Sequence, residues 1–279
     1  MDLQFSVDKE LCIGCGECVN DCPYAVLEMK GDFPAVDKER EEMCVQCQHC
    51  LAVCSTGALS ILGKNPADSL PLEGKLPSVE QLATLMKSRR SVRRYKKTAV
   101  SPEEIALLLE TVAYAPTGVN NRQVLFTMID NPEVMDNLRK TTYGTLEAII
   151  NNGGLPKGME FFEGFVVDAL QNGKDTIFRG APHMLIVSAP KDSPSPEADC
   201  YIALNYFELL AASMGLGTLW CGLAKWALTI IAPEILTKLG VPTSHQVGYM
   251  MLFGRPAVEY HRTVQRDNTH VNRVQQIIC

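Results

Sequence analysis

The cysteines constrain this chain more than any other feature. Cys12, Cys15, Cys18 and Cys22 fall within the segment CIGCGECVNDCP, and Cys44, Cys47, Cys50 and Cys54 repeat their spacing 32 positions later in CVQCQHCLAVCS. The repeat runs past the thiols, since Ala25-Val26-Leu27 corresponds to Gly57-Ala58-Leu59. Thiols gathered this closely serve either disulfides or metal. The opening residues MDLQFSVDKE have no basic region and no apolar core, so no signal peptide is expected. A soluble protein of the cytoplasm is the expectation, and a reducing cytosol does not sustain a disulfide framework. Metal is then the better use. Zinc sites usually separate two CxxC pairs by a dozen or more residues, so that four thiolates converge tetrahedrally. Here three cysteines come at steps of three and the fourth follows three intervening residues.

That spacing resembles the C-x2-C-x2-C-x3-C-P run of the bacterial two-cluster ferredoxins. The resemblance covers residues 1–62. A cubane iron–sulfur cluster is larger than a zinc ion, so a short loop can wrap three of its corners while the fourth ligand comes from elsewhere. In that family the fourth cysteine of each run crosses to the other cluster. The resemblance therefore implies one [4Fe–4S] cluster on Cys12, Cys15, Cys18 and Cys54, and a second on Cys22, Cys44, Cys47 and Cys50. Ser55 stands where the second run usually has proline. Each half is expected to form a short strand, a loop, a short helix and a short strand. Residues 1–62 carry eleven acids against four bases, a balance that suits an electron carrier and argues against nucleic acid.

Residues 63–77, GKNPADSLPLEGKLP, hold three prolines and two glycines without periodicity and are expected to be a linker. The second domain is expected over 78–279. Helix starts are legible at Ser78-Val79-Glu80-Gln81 and Ser101-Pro102-Glu103-Glu104, both with capping-box spacing. Strands are expected at Val124–Ile129, Met184–Ala189 and Gln246–Phe253. The apolar stretch Tyr201–Leu223 contains Asn205, Glu208 and three glycines, which favours a buried helix followed by a Gly-rich turn over a membrane span. With 46% hydrophobic residues the chain can fill a sizeable core. The class is α+β, with few hairpins.

Residues 87–97, KSRRSVRRYKK, place seven bases in a chain whose net charge is −6. A basic island in acidic surroundings asks for an anion. The alternative is a solvated helix end, where cations suit the macrodipole. A nucleic-acid patch fits less well, because only Tyr95 interleaves with the bases and the surroundings are acidic.

Arg89-Arg90-Ser91-Val92-Arg93 resembles the RRSxR opening of the nitroreductase family of FMN enzymes. Ala115-Pro116-Thr117-Gly118-Val119-Asn120 is similar to its APSGxN stretch. Gly215-Leu216-Gly217-Thr218-Leu219-Trp220-Cys221-Gly222 is similar to its GLGTxWxG turn, and Gly248-Tyr249 with Arg255 and Arg262 to its closing segment. These matches keep the family's order over about 78–270. The whole chain thus resembles the ferredoxin–nitroreductase fusions of anaerobic microbes: a small two-cluster domain, then a nitroreductase-like FMN domain in an intertwined homodimer. The resemblance implies FMN phosphate and ribityl contacts from Arg89, Arg90 and Ser91, with Arg262 reaching in from the tail. It places Arg93 near the N1–C2 carbonyl edge of the flavin and Asn120 on its pyrimidine edge or ribityl chain. Pro116, Thr117 and Gly118 line the site. The family usually has glutamine two places after the asparagine; here Arg122 stands there, followed by Gln123. The Cys221-Gly222 turn is expected to aim a backbone N–H at flavin N5. Cys200 and Cys279 are expected to be ordinary thiols.

The function implied is an oxidoreductase in which two [4Fe–4S] clusters feed FMN, which reduces a nitroaromatic, quinone or activated alkene. Chemistry is expected at flavin N5, with no catalytic side chain assigned. Ferredoxin or NAD(P)H are the candidate donors, and neither nucleic acid nor membrane is an expected partner. The alternatives are an electron-transfer adaptor to a protein partner, or reductive dehalogenation or desaturation on the same fold.

Overall fold

A computed structural model describes residues 2–267 and 269–275. Cys279 lies outside the described residues. The chain divides into two compact units, one of residues 1–77 with 116–122, the other of 78–115 with 123–279.

In the first unit the sequence repeat is visible as a backbone repeat. One half gives β1 (Ser6–Val7), α1 (Glu17–Asn20) and β2 (Leu27–Lys30), and the other gives β3 (Phe33–Val36), α2 (His49–Ala52) and β4 (Leu59–Ser60). The strands pair across the halves, β1 with β4 and β2 with β3, both antiparallel. Left-handed backbone recurs at matching positions. φ is +67° and +56° at Gly14 and Gln46, +74° and +60° at Gly16 and Gln48, and +49° and +67° at Ala25 and Gly57. Glycine takes this conformation freely, whereas each other residue holds it at a cost of roughly 1–2 kcal/mol. The loop shape is therefore what repeats, even where the glycine does not. Leu3, Val26, Leu27, Leu51, Leu59 and Ile61 form a small core behind the loops. Residues 63–77 cluster with this unit and include a 3₁₀ turn, Pro66–Asp68, in which Ala67 N–H donates to Asn65 Oδ1 at 2.9 Å.

The second unit begins with α3 (Val79–Ser88) and α4 (Pro102–Val112), and both capping boxes form with reciprocal side-chain and backbone bonds. β5 (Leu125–Ile129) follows, then α5 (Pro132–Asn151), α6 (Phe162–Asn172), β6 (His183–Pro190) and α7 (Pro196–Ser213). β7 (Gly217–Trp220), α8 (Gly222–Trp226), a π turn over Ala227–Ile231, α9 (Glu234–Lys238) and β8 (His245–Gly254) complete it. The three expected strands are present, each within one residue of its expected limits. Where a Gly-rich turn was expected, only Gly215 turns, at φ +73°, and Gly217–Trp220 is a strand. Four residues between glycines carry too little alternation to announce it.

The sheet runs β5-β6-β8-β7, antiparallel throughout. Helices separate every pair of consecutive strands, so no tight hairpin is formed in it. Its two faces are both covered. Met184 and Ile186 of β6, with Met250 and Leu252 of β8, pack against α5, α6 and the α8–α9 region. Leu185, Val187 and Ala189, with Met251 and Phe253, pack against α4 and α7. Thus α7 buries Cys200, Ala203, Leu204, Phe207 and Ala211 within its own chain, which accounts for its apolar sequence. No helix among the described residues is long and apolar enough to cross a membrane.

Gly248 sits at a break in the β6–β8 register, between the pairs Val187–Tyr249 and Ser188–Val247. A Cβ there would lie 2.2 Å from Cys200 Cβ. Gly248→Ala is expected to destabilise the second unit by about 1–3 kcal/mol, the usual cost of overpacking. Chemical denaturation followed by tryptophan fluorescence checks this, since Trp220 and Trp226 both lie in that unit. An unchanged midpoint would mean that α7 and β8 are not held at this separation.

Candidate functional site

The eight repeated cysteines sort into two cavities. One, of about 440 Å³ counting its open mouth, is lined by Cys22, Cys44, Cys47 and Cys50, with Val26, Leu27 and Ile61 among its apolar walls. The other, of about 390 Å³, is lined by Cys12, Cys15, Cys18 and Cys54 with Val7, Pro34 and Leu59. Each cavity thus takes three thiols from one half and the fourth from the other. Burial, followed by the neighbouring Cys47, Cys22 and Cys44, pushes the Cys50 thiol up to about 12. Burial and then Cys54 push Cys18 upward. The backbone around the fourth thiols repeats as well. Val26 N–H donates to Cys22 Sγ at 3.4 Å, and Ala58 N–H to Cys54 Sγ at 3.3 Å. Among the described residues no three His, Cys, Asp or Glu side chains gather around a single metal ion. The thiols instead line two open spaces, four to each, a donor set that suits a polynuclear centre, and donors aimed at sulfur are what such a centre uses to tune its potential.

In the second unit the basic stretch is tied to β7. Ser91 pairs with Thr218 as a parallel bridge, and Val92 N–H donates to Thr218 O at 2.8 Å. Gly217 allows this approach, because a Cβ on it would lie 2.6 Å from a Val92 methyl. Two motifs far apart in sequence, RRSVR and GLGTLW, are therefore one structural feature. Arg89 Nη1 meets Glu208 Oε1 of α7 at 3.3 Å. Arg90 Nη2 donates to Lys87 O, while Arg90 Nε is buried with no hydrogen-bond partner. Buried donors are rarely left so, and an anion beside Arg89 and Arg90 would satisfy it. The residues thus fit a phosphate. Arg93 Nη1 donates to Ser91 O at 3.3 Å. Arg262 is exposed in a tail without regular structure.

Cys221 is buried. Its thiol faces Ile177 O at 3.2 Å and accepts from Ala224 N–H, and its own N–H is taken by Met250 O. The N–H of the turn that starts α8 is thus that of Gly222. A Cβ on Gly222 would lie 3.1 Å from the Tyr249 hydroxyl. Tyr249 belongs to an aromatic group with Trp220 and Tyr201, at centroid distances of 5.3 and 6.1 Å, and Lys225 Nζ stands 5.0 Å over its ring. Cys200 is buried, and burial pushes its thiol to about 11.

Residues 116–122 cluster with the first unit. Gly118–Asn120 is a 3₁₀ turn, Arg122 N–H donates to Thr117 Oγ1 at 3.0 Å, and Asn120 Nδ2 donates to Val45 O at 2.7 Å. The Asn120 amide is thus engaged with the loop between Cys44 and Cys47. Val119, Asn120 and Arg122 are left-handed at φ +47°, +54° and +53°.

Sequence reasoning passed over Glu208 as a site residue. Its signal was present: one acid within an otherwise apolar helical stretch demands a buried cation or donor.

Residues 86–255 match the model of the nitroreductase family, and residues 11–58 match that of the 4Fe-4S dicluster domain. Among curated proteins, an iodotyrosine deiodinase of Thermotoga neapolitana is 22% identical over 142 residues, covering 50% of this chain and 73% of that protein. Among solved structures, a nitroreductase with bound FMN from Bacteroides fragilis gives a TM-score of 0.56 at 23% identity, covering 69% of this chain and 99% of that one. Another, from Desulfitobacterium hafniense, gives 0.53 at 22% identity, covering 70% and 100%. At these identities the structural likeness is one of fold.

The division of thiols between cavities has a direct test. Cys22→Ser is expected to remove about half of the iron, one of two four-iron centres. The centre left should be that of Cys12, Cys15, Cys18 and Cys54. Iron analysis with electron paramagnetic resonance of the reduced protein reads this. Loss of the other centre instead would reverse the pairing.

Proposed function

The chain belongs to the nitroreductase family, and from that premise we propose that it is an iron–sulfur flavoprotein oxidoreductase carrying two [4Fe–4S] clusters and FMN. The observation that carries this reading is the pair of four-thiol cavities on a chain whose remainder is a nitroreductase domain. When bound, the clusters supply electrons singly and FMN supplies their delivery in pairs, as a hydride, to an organic acceptor such as a nitroaromatic, quinone or activated alkene. The chain's own residues bind and orient. Cys12, Cys15, Cys18 and Cys54 hold one cluster, and Cys22, Cys44, Cys47 and Cys50 hold the other. Arg89, Arg90 and Ser91 take the phosphate and ribityl oxygens, and Arg262 assists from the tail. Arg93 lies toward the N1–C2 edge, and the N–H at Gly222 serves N5. Pro116, Thr117, Gly118, Asn120 and Arg122 supply the remaining contacts.

A homodimer completes the reading. It is supported by the uncovered apolar side chains of α3 (Val79, Leu82 and Met86) and of α7 (Ile202 and Tyr206), all exposed in the single chain. The cytoplasm suits thiols that must stay reduced for ligation. Reductive dehalogenation is the second reading, supported by the likeness to the Thermotoga deiodinase.

Anaerobically purified protein is expected to contain about eight irons and one FMN per chain, four irons for each cubane. Reduced ferredoxin is expected to reduce the flavin and support turnover of nitroaromatics or quinones well above free FMN. Halogenated phenols as acceptors test the second reading, and NADH and NADPH are compared as donors. Stoichiometric zinc with little iron would refute the cluster reading. Cluster reduction with no turnover of small acceptors would favour an adaptor to a protein partner.

A further inference from the structure

Glu208 lies in the middle of α7 with only 5% of its side chain exposed. Its Oε1 accepts from Thr218 Oγ1 at 3.0 Å and pairs with Arg89 Nη1 at 3.3 Å. A buried carboxylate persists only when paired and hydrogen-bonded, and here both partners belong to the motifs assigned to the flavin. Thr218 is itself fixed, since its carbonyl accepts Val92 N–H at 2.8 Å. Three elements thus meet at one carboxylate oxygen, Glu208 Oε1: the end of α3 through Arg89, α7 itself and the edge strand β7 through Thr218. The contact to Glu208 uses one of the five N–H groups of Arg89, and 29% of the Arg89 side chain stays exposed. The next residue, Arg90, has its Nε buried without a hydrogen-bond partner.

We propose that Glu208 is a positioning residue for phosphate recognition: with Thr218 it holds one edge of the Arg89 guanidinium so that the other edge, together with Arg90 Nε, presents to the phosphate of FMN. This rests on the reading of Arg89 as a phosphate ligand. Orientation and charge pull in opposite directions here. A carboxylate near a phosphate dianion repels it, so a Glu208 that acted only through its charge would weaken FMN binding, and removing that charge would tighten it. A Glu208 that holds the fork in place does the reverse.

The test uses the full chain with its flavin removed, titrated with FMN and with riboflavin, which lacks the phosphate. Flavin fluorescence reports each affinity. Glu208→Gln is expected to weaken FMN about tenfold while riboflavin changes by less than about twofold, because charge-assisted bonds to the phosphate are lost and ring contacts are not. Thr218→Val, which keeps the side chain's shape and removes its hydroxyl, should shift the FMN-to-riboflavin ratio in the same direction by less. It decides the matter if Glu208→Gln does not fold. In an Arg89→Ala background Glu208→Gln should leave that ratio unchanged. A parallel loss of both flavins would make Glu208 a purely structural residue, and unchanged or tighter FMN binding would also overturn the proposal. If Arg89→Ala by itself leaves the ratio unaltered, the reading of Arg89 fails and the proposal falls with it. If Arg89→Ala lowers the ratio and Glu208→Gln does not, only the positioning role is lost.

Discussion

A strand covered on both faces has nowhere to put an unpaired polar group, and the second unit is organised around two such strands. Met184 to Val187 of β6 and Met250 to Phe253 of β8 are all fully buried. The polar residues that do enter this layer carry hydrogen bonds, although His183 Nδ1 is buried without one. His183 accepts Val100 N–H at 2.9 Å and stacks on Phe253, and burial holds its pKa below the usual histidine range. The Ser188 hydroxyl meets His245 Nδ1 at 3.1 Å. Charge is thereby displaced to the rim of the sheet. That is where the basic stretch attaches, at Thr218 of β7, and where the buried Glu208 of α7 finds a guanidinium. The cost of burying unpaired charge thus decides where an anion can be bound in this unit.

The first unit obeys a different constraint. Its core is small, and its loops hold left-handed backbone at Gln46, Gln48 and Ala25 as well as at glycines. Three further left-handed residues, Val119, Asn120 and Arg122, lie in the segment that joins this unit from the later chain. Strain of this kind persists where surrounding contacts over-determine it. Here those contacts are the Thr117 hydroxyl to Arg122 N–H and the Asn120 amide to Val45 O.

Much of this was legible beforehand, for identifiable reasons. Capping boxes at Ser78 and Ser101 are local chemistry, fixed by residues three apart, and both formed. β6 and β8 were legible because burial on both faces leaves continuous apolar runs. Three thiols of each group followed from an internal repeat, which is a property of the string itself, and the crossing of the fourth from the resemblance to the two-cluster ferredoxins. What escaped needed contacts across the chain. β7 owes its existence to pairing with β8, since Gly217–Trp220 has too few residues to display a period. The closeness of Ser91 to Thr218 depends on a missing Cβ at Gly217. Glu208 had no partner within its own helix, and Arg89 lies 119 positions away from it. The bond from the Asn120 amide to Val45 reaches 75 positions back.

The exchange of the fourth thiol between halves has a topological consequence. Cys22 belongs to the first half of the repeat but lines the second half's cavity, and Cys54 does the converse. Whatever engages all four thiols of either cavity becomes a rivet across the repeat, and two such rivets cross in opposite senses. Neither half can be detached, swapped or refolded alone without losing one corner of its own site and carrying off one corner of the other. The unit therefore behaves as one clasp with two pins: withdrawing either pin leaves the halves joined by the other and by two short strand pairs.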